Sequence, residues 1–134
     1  MTESQTRSVI VEREFPHAPE KVWRALTESS LMEQWLMKND FEPAAGHRFQ
    51  LRADWGAVDG EVLGVEPAKT LSYTWAAYGL ESVVTWTLTP TSTGTHLRME
   101  QSGFPMDQDQ AYKGAMYGWK NFIGQLERVV AGLE

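Results

Sequence analysis

Three histidines and several strand carboxylates are the side chains of this sequence that could carry metal or acid–base chemistry. His17, His47 and His96 lie on separate segments without the spacing of a metal site. No zinc-protease, serine-nucleophile, phosphate-loop or dinucleotide motif occurs; "GAMYGWK" has the wrong spacing for a phosphate loop and lies within a predicted helix. We therefore expect no metal and no cofactor.

The strand carboxylates are predicted to face solvent. Glu100 shares the parity of Arg98 and is opposite to Met99, and Glu61 adjoins the apolar Val62. Successive side chains of a strand point to opposite faces, so both acids fall on the outer face. A general acid or base inside the protein is thus the less favoured interpretation, although a buried carboxylate stays open.

Gln101 is the polar side chain that the same alternation places inside, because it shares the parity of Leu97 and Met99. A buried amide needs hydrogen-bond partners. These are either groups inside the protein or a ligand that the amide orients. The hydroxyl groups of Tyr73 and Tyr112 could serve a ligand in the same way.

Composition narrows the class of protein. The chain has 134 residues, which suits a single domain over residues 1–134. It has no cysteine, no apolar signal segment and a net charge of −6. We expect a cytoplasmic protein that neither binds nucleic acid nor inserts into membranes. Six Trp and six Met indicate either a core of large side chains or an apolar cavity for a flat ligand.

The spacing of apolar residues predicts a strand, two short helices, a run of strands and a long helix. The first strand is expected over 7–15, a helix begins at Pro19, and a second helix covers 30–37 with Ser29 or Ser30 as its cap. Five further strands are predicted at 47–53, 58–67, 70–77, 81–90 and 95–103. Turns are expected at Pro67, Tyr78–Gly79 and Thr93–Gly94.

The final helix is predicted over residues 111–133. Gly114, Gly118 and Gly124 interrupt its apolar stripe, which indicates close packing or a kink that shapes the space beneath. Segregated helices and an antiparallel sheet define an α+β fold of about six strands, with the curved sheet wrapped around the long helix.

Four segments together resemble a known superfamily. They are "FPHAPEKVWRALTESSLMEQWL", "GEVLGVEPAKTLSYTW", "VVTWTLTPTSTGTHLRMEQSGF" and "GWKNFIGQLERVV". The chain resembles the START-like helix-grip superfamily, also called SRPBCC or Bet v 1-like, and within it the branch of the activator of Hsp90 ATPase C-terminal domain. The resemblance implies a deep apolar pocket between the sheet and the last helix.

The candidate ligand-binding residues combine strand parity with this implied pocket. Tyr73, Trp75, Val84 and Trp86 are predicted to face the long helix, with their neighbouring threonines outside. Trp35, Met37, Trp55 and Met106 are expected at the pocket rim, or else as caps of the core. The complete candidate set is Trp35, Met37, Phe49, Leu51, Trp55, Tyr73, Trp75, Val84, Trp86, Met99, Gln101, Tyr112, Met116 and Trp119.

Three functions follow from the resemblance, because members of the superfamily differ in activity. The first is a non-covalent binding module for a hydrophobic small molecule, either a lipid or a polyketide-like aromatic compound. The second is a protein-binding module such as an Hsp90-type chaperone co-factor, which we expect less because the namesake's chaperone-binding domain is not in this sequence. The third is a cyclase or hydrolase, which the missing acid–base pair disfavours. A homodimer stays open.

Overall fold

The computed structural model describes residues 6–77 and 79–133. The helices and strands, in chain order, are β1 (Thr6–Phe15), α1 (Pro19–Thr27), α2 (Ser29–Trp35), β2 (Lys38–Asn39), β3 (Arg48–Ala53), β4 (Gly56–Glu66), β5 (Thr70–Ala77), β6 (Leu80–Pro90), β7 (Thr95–Pro105) and α3 (Asp109–Ala131). This order confirms the predicted α+β fold.

The strands form one antiparallel sheet with the order β1-β7-β6-β5-β4-β3-β2. It has seven strands rather than six, because the two-residue β2 pairs with β3 and is too short to give an alternating pattern. Gly79 follows β5 with a φ of +82°, a conformation that favours glycine. The other residue of that predicted turn, Tyr78, lies outside the described residues.

Alternation along β5 and β6 decides which side chains meet the helix. Tyr73, Trp75, Val84 and Trp86 are buried, whereas the intervening threonines are only partly covered. The inward face of this hairpin is therefore the predicted one. Its register places Tyr73 opposite Val84 across the strand pair.

The two short helices cover one end of the core. Pro19 occupies the first turn of α1, as predicted. The predicted serine cap of α2 is wrong: Glu28 is the N-cap residue, without a side-chain cap bond, and the Ser29 hydroxyl instead donates to the backbone oxygen of Asn39 at 3.0 Å. The indole of Trp35 donates to the backbone oxygen of Ala25 at 2.7 Å, which joins α2 to α1.

The glycines of α3 do not serve close packing. A Cβ atom built on Gly114, Gly118 or Gly124 would meet no heavy atom within 4 Å. The prediction of close packing is therefore wrong. The three glycines leave space beside the helix instead of bringing it closer to a neighbour.

His96 gives the outer face of the sheet a pH-dependent contact. On β7, its ring lies between two carboxylates of β1 and hydrogen-bonds to both, to Glu14 through Nδ1 and to Glu12 through Nε2 at 2.8 Å. These hydrogen bonds, the one with Glu14 first, raise the pKa of His96. A raised pKa in the folded state means that protonation stabilises the fold.

We predict that His96→Gln destabilises the protein more at pH 6 than at pH 9. The contribution of His96 is fully present below its unfolded pKa of about 6.5 and is lost as the pH rises through the raised folded value. Urea unfolding of wild type and variant at both pH values measures the difference. In a Glu12→Gln/Glu14→Gln background the pH dependence should vanish. Equal destabilisation at both pH values would show that the contact does not stabilise the charged ring.

Candidate functional site

A cavity of about 150 Å³ lies between the inner face of the sheet and the first half of α3. From the sheet side it is lined by Trp75, Leu80, Gln101 and Phe104. From α3 it is lined by Ala111, Gly114, Ala115, Gly118, Trp119 and Phe122. The cavity thus occupies the position that the predicted helix-grip fold would give to a pocket.

The space exists because the first half of α3 presents small side chains to the sheet. Ala111, Gly114, Ala115 and Gly118 follow one another at helical spacing and share the face that lines the cavity. The buried residues of α3 begin only at Trp119 and continue with Ile123, Leu126 and Val130. The second half of the helix therefore packs on the core, and the first half covers the cavity without filling it.

Contacts with β1 hold the beginning of α3 in place. Arg7 forms an ion pair with Asp109, and its guanidinium lies 3.9 Å from the centre of the Tyr112 ring. Tyr112 in turn meets Phe104, a cavity residue, edge to face with 5.8 Å between ring centres. Hydrogen bonds from Arg7 and then from Lys113 lower the pKa of Asp109.

A chain of hydrogen bonds runs along the inner wall of the cavity. The indole of Trp119 donates to Oε1 of Gln101 at 2.6 Å, and Nε2 of Gln101 donates to the Ser82 hydroxyl at 2.9 Å. Ser82 then donates to the backbone oxygen of Trp75 at 2.8 Å. Gln101 is only 2 % exposed, so its amide is buried with partners inside the protein.

A second buried polar pair lies deeper in the core. The indole of Trp86 donates to the Tyr73 hydroxyl at 2.9 Å, and the Tyr73 ring packs against Phe41 and Phe49. Burial raises the pKa of Tyr73 far above its usual range, against the opposing effect of the Trp86 hydrogen bond. Tyr73 is therefore a neutral, structural side chain at physiological pH.

The structure brings three of the predicted site residues to the cavity: Trp75, Gln101 and Trp119. Tyr112 and Met116 lie on the same helix, partly buried, without lining the cavity. Eight others are buried in the core and do not line the cavity: Trp35, Met37, Phe49, Leu51, Tyr73, Val84, Trp86 and Met99.

Of the four residues predicted at the pocket rim, two are buried in the core and two are exposed. Trp35 and Met37 lie in the core and not at a rim, since Trp35 packs edge to face on Trp86 with 5.8 Å between ring centres. Trp55 and Met106 are each 51 % exposed. They follow β3 and β7, which run in the same direction as β5. Both residues therefore lie at the end of the strands where β5 ends and the cavity begins.

Sequence reasoning missed most of the helix wall. The small residues from Ala111 to Gly118 belong to the predicted apolar stripe of the last helix and to its glycine interruptions, although their recurrence on one face predicts a shallow surface. Phe104 and Leu80 were missed because each lies at the end of a strand. Phe104 follows Gly103, which has a φ of +109° and interrupts the regular alternation of β7.

The cavity wall carries no titratable side chain among the described residues. Within residues 6–77 and 79–133 there is also no group of three or more His, Asp or Glu side chains that could hold a metal ion. The polar side-chain groups on this wall are the Gln101 amide and the indoles of Trp75 and Trp119, and the Trp119 N–H is already donated to Gln101. Such a wall suits non-covalent binding more than proton transfer.

A larger depression of about 550 Å³ lies on the outer face of the sheet. It is lined by short side chains such as Thr74, Ala76 and Ser102, together with Glu81. It lacks the aromatic side chains and the buried amide of the inner cavity. We therefore take the inner cavity as the candidate site.

The curved sheet, the long C-terminal helix and the cavity between them define a START-like helix-grip domain of the SRPBCC class. The chain belongs to the family of Activator of Hsp90 ATPase homolog 1-like proteins, whose family model matches residues 16–131. No protein of curated function matches the chain. In the described part of the chain, no helix is both long and apolar enough to cross a membrane.

Solved structures extend the comparison. Protein MLL2253 from Mesorhizobium loti is 59 % identical, with a TM-score of 0.92 over 96 % of this chain and 99 % of that one. Protein BH1534 from Bacillus halodurans is 26 % identical, with a TM-score of 0.84 over 96 % and 99 %. DynU16, a protein in the dynemicin biosynthetic locus, is 27 % identical, with a TM-score of 0.85 over 93 % of this chain and 47 % of its own.

We predict that Trp119→Phe lowers the free energy of unfolding by about 1–3 kcal/mol, because it keeps a ring but leaves the Gln101 oxygen buried without its donor. Chemical denaturation measures the change. Trp23→Phe is the matched control, since the partly buried Trp23 indole donates no hydrogen bond to the described residues. Equal effects of the two substitutions would mean that the Trp119 hydrogen bond contributes nothing beyond ring packing.

Proposed function

We propose that this protein binds an apolar or aromatic small molecule, without covalent chemistry, in the cavity beneath the first half of α3. The observation that carries the proposal is an apolar cavity with one buried amide at its wall. This is the usual composition of a small-molecule site, in which apolar walls give affinity and a few polar groups give orientation. The family and the fold support the same function.

Two tryptophans shape the wall that such a ligand would meet. The rings of Trp75 and Trp119 lie 5.2 Å apart between centres and are inclined by 56° to each other. Aromatic rings prefer offset or edge-to-face neighbours over a parallel sandwich. A flat ligand beside these two rings would gain such contacts, which favours aromatic compounds over saturated chains.

The size of the cavity limits what fits without rearrangement. At about 150 Å³ it is smaller than the roughly 300–1,000 Å³ of common ligand pockets. An apolar cavity of about 150 Å³ can accept benzene. A single ring therefore fits the structure as it stands. A lipid or a multi-ring polyketide would need the first half of α3 to move away, and that half contributes no buried residue.

The two other functions lack a supporting contact at this site. A cyclase or hydrolase would need an acid or base in the cavity, and its described wall carries none. A chaperone co-factor remains a proposal that rests on the family's name. Binding to the cell's own Hsp90 homologue in a pull-down would bring it forward.

We predict that Gly118→Leu abolishes ligand binding and leaves the fold intact. Its side chain would enter the cavity from the helix, where a Cβ meets no other atom within 4 Å. Replacing a helical glycine also stabilises a helix by up to about 1 kcal/mol, so unfolding would not explain the loss. The probe is toluene, titrated by isothermal calorimetry and by tryptophan fluorescence.

Gly124→Leu is the matched control. Gly124 has equally open surroundings on the same helix and does not line the cavity. The Gly124→Leu variant should bind toluene like the wild type. Equal binding by wild type and both variants would place the ligand elsewhere, and no saturable binding by the wild type would remove the proposed function.

A further inference from the structure

The cavity offers no counter-charge to a charged ligand. Its described wall contains aromatic, aliphatic and glycine residues together with the Gln101 amide. The guanidinium of Arg7, the cation at the start of α3, pairs with Asp109 through a terminal nitrogen and lies over the Tyr112 ring. Its Nε is buried without a hydrogen-bond partner among the described residues, but Arg7 does not line the cavity. A carboxylate placed beside Gln101 would lose its hydration without gaining a cation, which is strongly unfavourable.

Gln101 can bind one more neutral group. Its side-chain amide has two N–H donors and an oxygen with two acceptor positions. In the described part of the chain, one donor is used by Ser82 and one acceptor position by Trp119. One N–H and one acceptor position therefore remain, on a side chain that lines the cavity.

The hydrogen-bonded neighbours fix the orientation of this amide. An indole nitrogen can only donate, so the atom facing Trp119 must be the oxygen Oε1. Ser82 donates its hydrogen to the backbone oxygen of Trp75, so its oxygen is free to accept from Nε2 of Gln101. The amide cannot turn over without breaking both contacts, and it thus presents a fixed donor and acceptor.

We propose that the cavity selects uncharged single-ring ligands that carry a hydroxyl or carbonyl group, and that Gln101 is the residue that binds this group. The inference rests on the proposed function and gives it a chemical class, of which phenols are the simplest members. Selectivity arises from two effects. The amide forms a hydrogen bond with a neutral polar group, and the uncharged wall makes burial of a carboxylate unfavourable.

Three probes of nearly equal shape test the proposal on the wild-type protein at pH 7: toluene, p-cresol and p-toluate. Calorimetry should show p-cresol binding about threefold to tenfold more tightly than toluene, the range of one net hydrogen bond. Binding of p-toluate should be at least about tenfold weaker than that of toluene, because its carboxylate is ionised and unpaired. Titration of ¹⁵N-labelled protein should shift the Gln101 side-chain amide with p-cresol more than with toluene.

The outcomes separate this inference from the proposed function. If no probe binds saturably, the proposed function fails and the inference with it. If toluene binds as tightly as p-cresol, or p-toluate as tightly as toluene, the cavity binds ligands but the selectivity is overturned.

Gln101→Met tests the residue, since methionine has a similar length and adapts to irregular apolar space. Because Gln101→Met alone would free the Trp119 N–H for the ligand, the substitution is combined with Trp119→Phe, and this double variant should bind toluene and p-cresol equally. If it fails to fold, the amide shifts of the wild type decide the role of Gln101. A p-cresol preference that persists in the folded variant would assign the hydrogen bond to another group.

Discussion

The hydrogen bond from Trp119 to Gln101 joins the long helix to the sheet, and the arrangement of the site depends on it. Both groups are buried, and the bond is short at 2.6 Å. A buried indole and a buried amide each lose water on folding, so each needs the other. The contact therefore ties Trp119 of α3 to Gln101 of β7.

Two different halves of α3 follow from this anchor. From Trp119 onward the helix buries an apolar face against the sheet and the short helices. Before Trp119 the helix presents alanines and glycines to the cavity. Its first turns are attached to β1 by the ion pair of Arg7 with Asp109 and by the contact of Arg7 with the Tyr112 ring. Exposed ion pairs contribute little to stability compared with buried apolar surface. The first half of α3 is thus attached to the rest of the protein by weaker contacts than the second half, and it is the half that covers the cavity.

The sequence predicts the faces of the strands well because a strand has a strict period of two. This period placed Tyr73, Trp75, Val84, Trp86 and Gln101 inside without any knowledge of the helix. It also placed the carboxylates of Glu61 and Glu100 outside, where the structure has them beside arginines.

The distance between the sheet and the long helix cannot be predicted from that period of two. Parity cannot tell a residue in a packed core from one at a cavity wall, so Tyr73 and Trp86 could not be distinguished from Trp75 beforehand. The small residues of α3 determine which strand residues line the cavity, because they lie opposite Trp75 but do not share the cavity with Tyr73 or Trp86. Local contacts decided the other differences: Ser29 bonds Asn39 instead of capping α2, and Trp35 turns inward to reach Ala25.

A crystal structure of the protein grown with phenol would show directly whether Gln101 binds a hydroxyl group inside the cavity. We expect the ring beside Trp75 and Trp119, with its hydroxyl oxygen within hydrogen-bond distance of the Gln101 side chain. A ligand found instead in the outer depression near Thr74, or a cavity filled by the protein's own side chains while the phenol is bound nowhere, would contradict binding at Gln101.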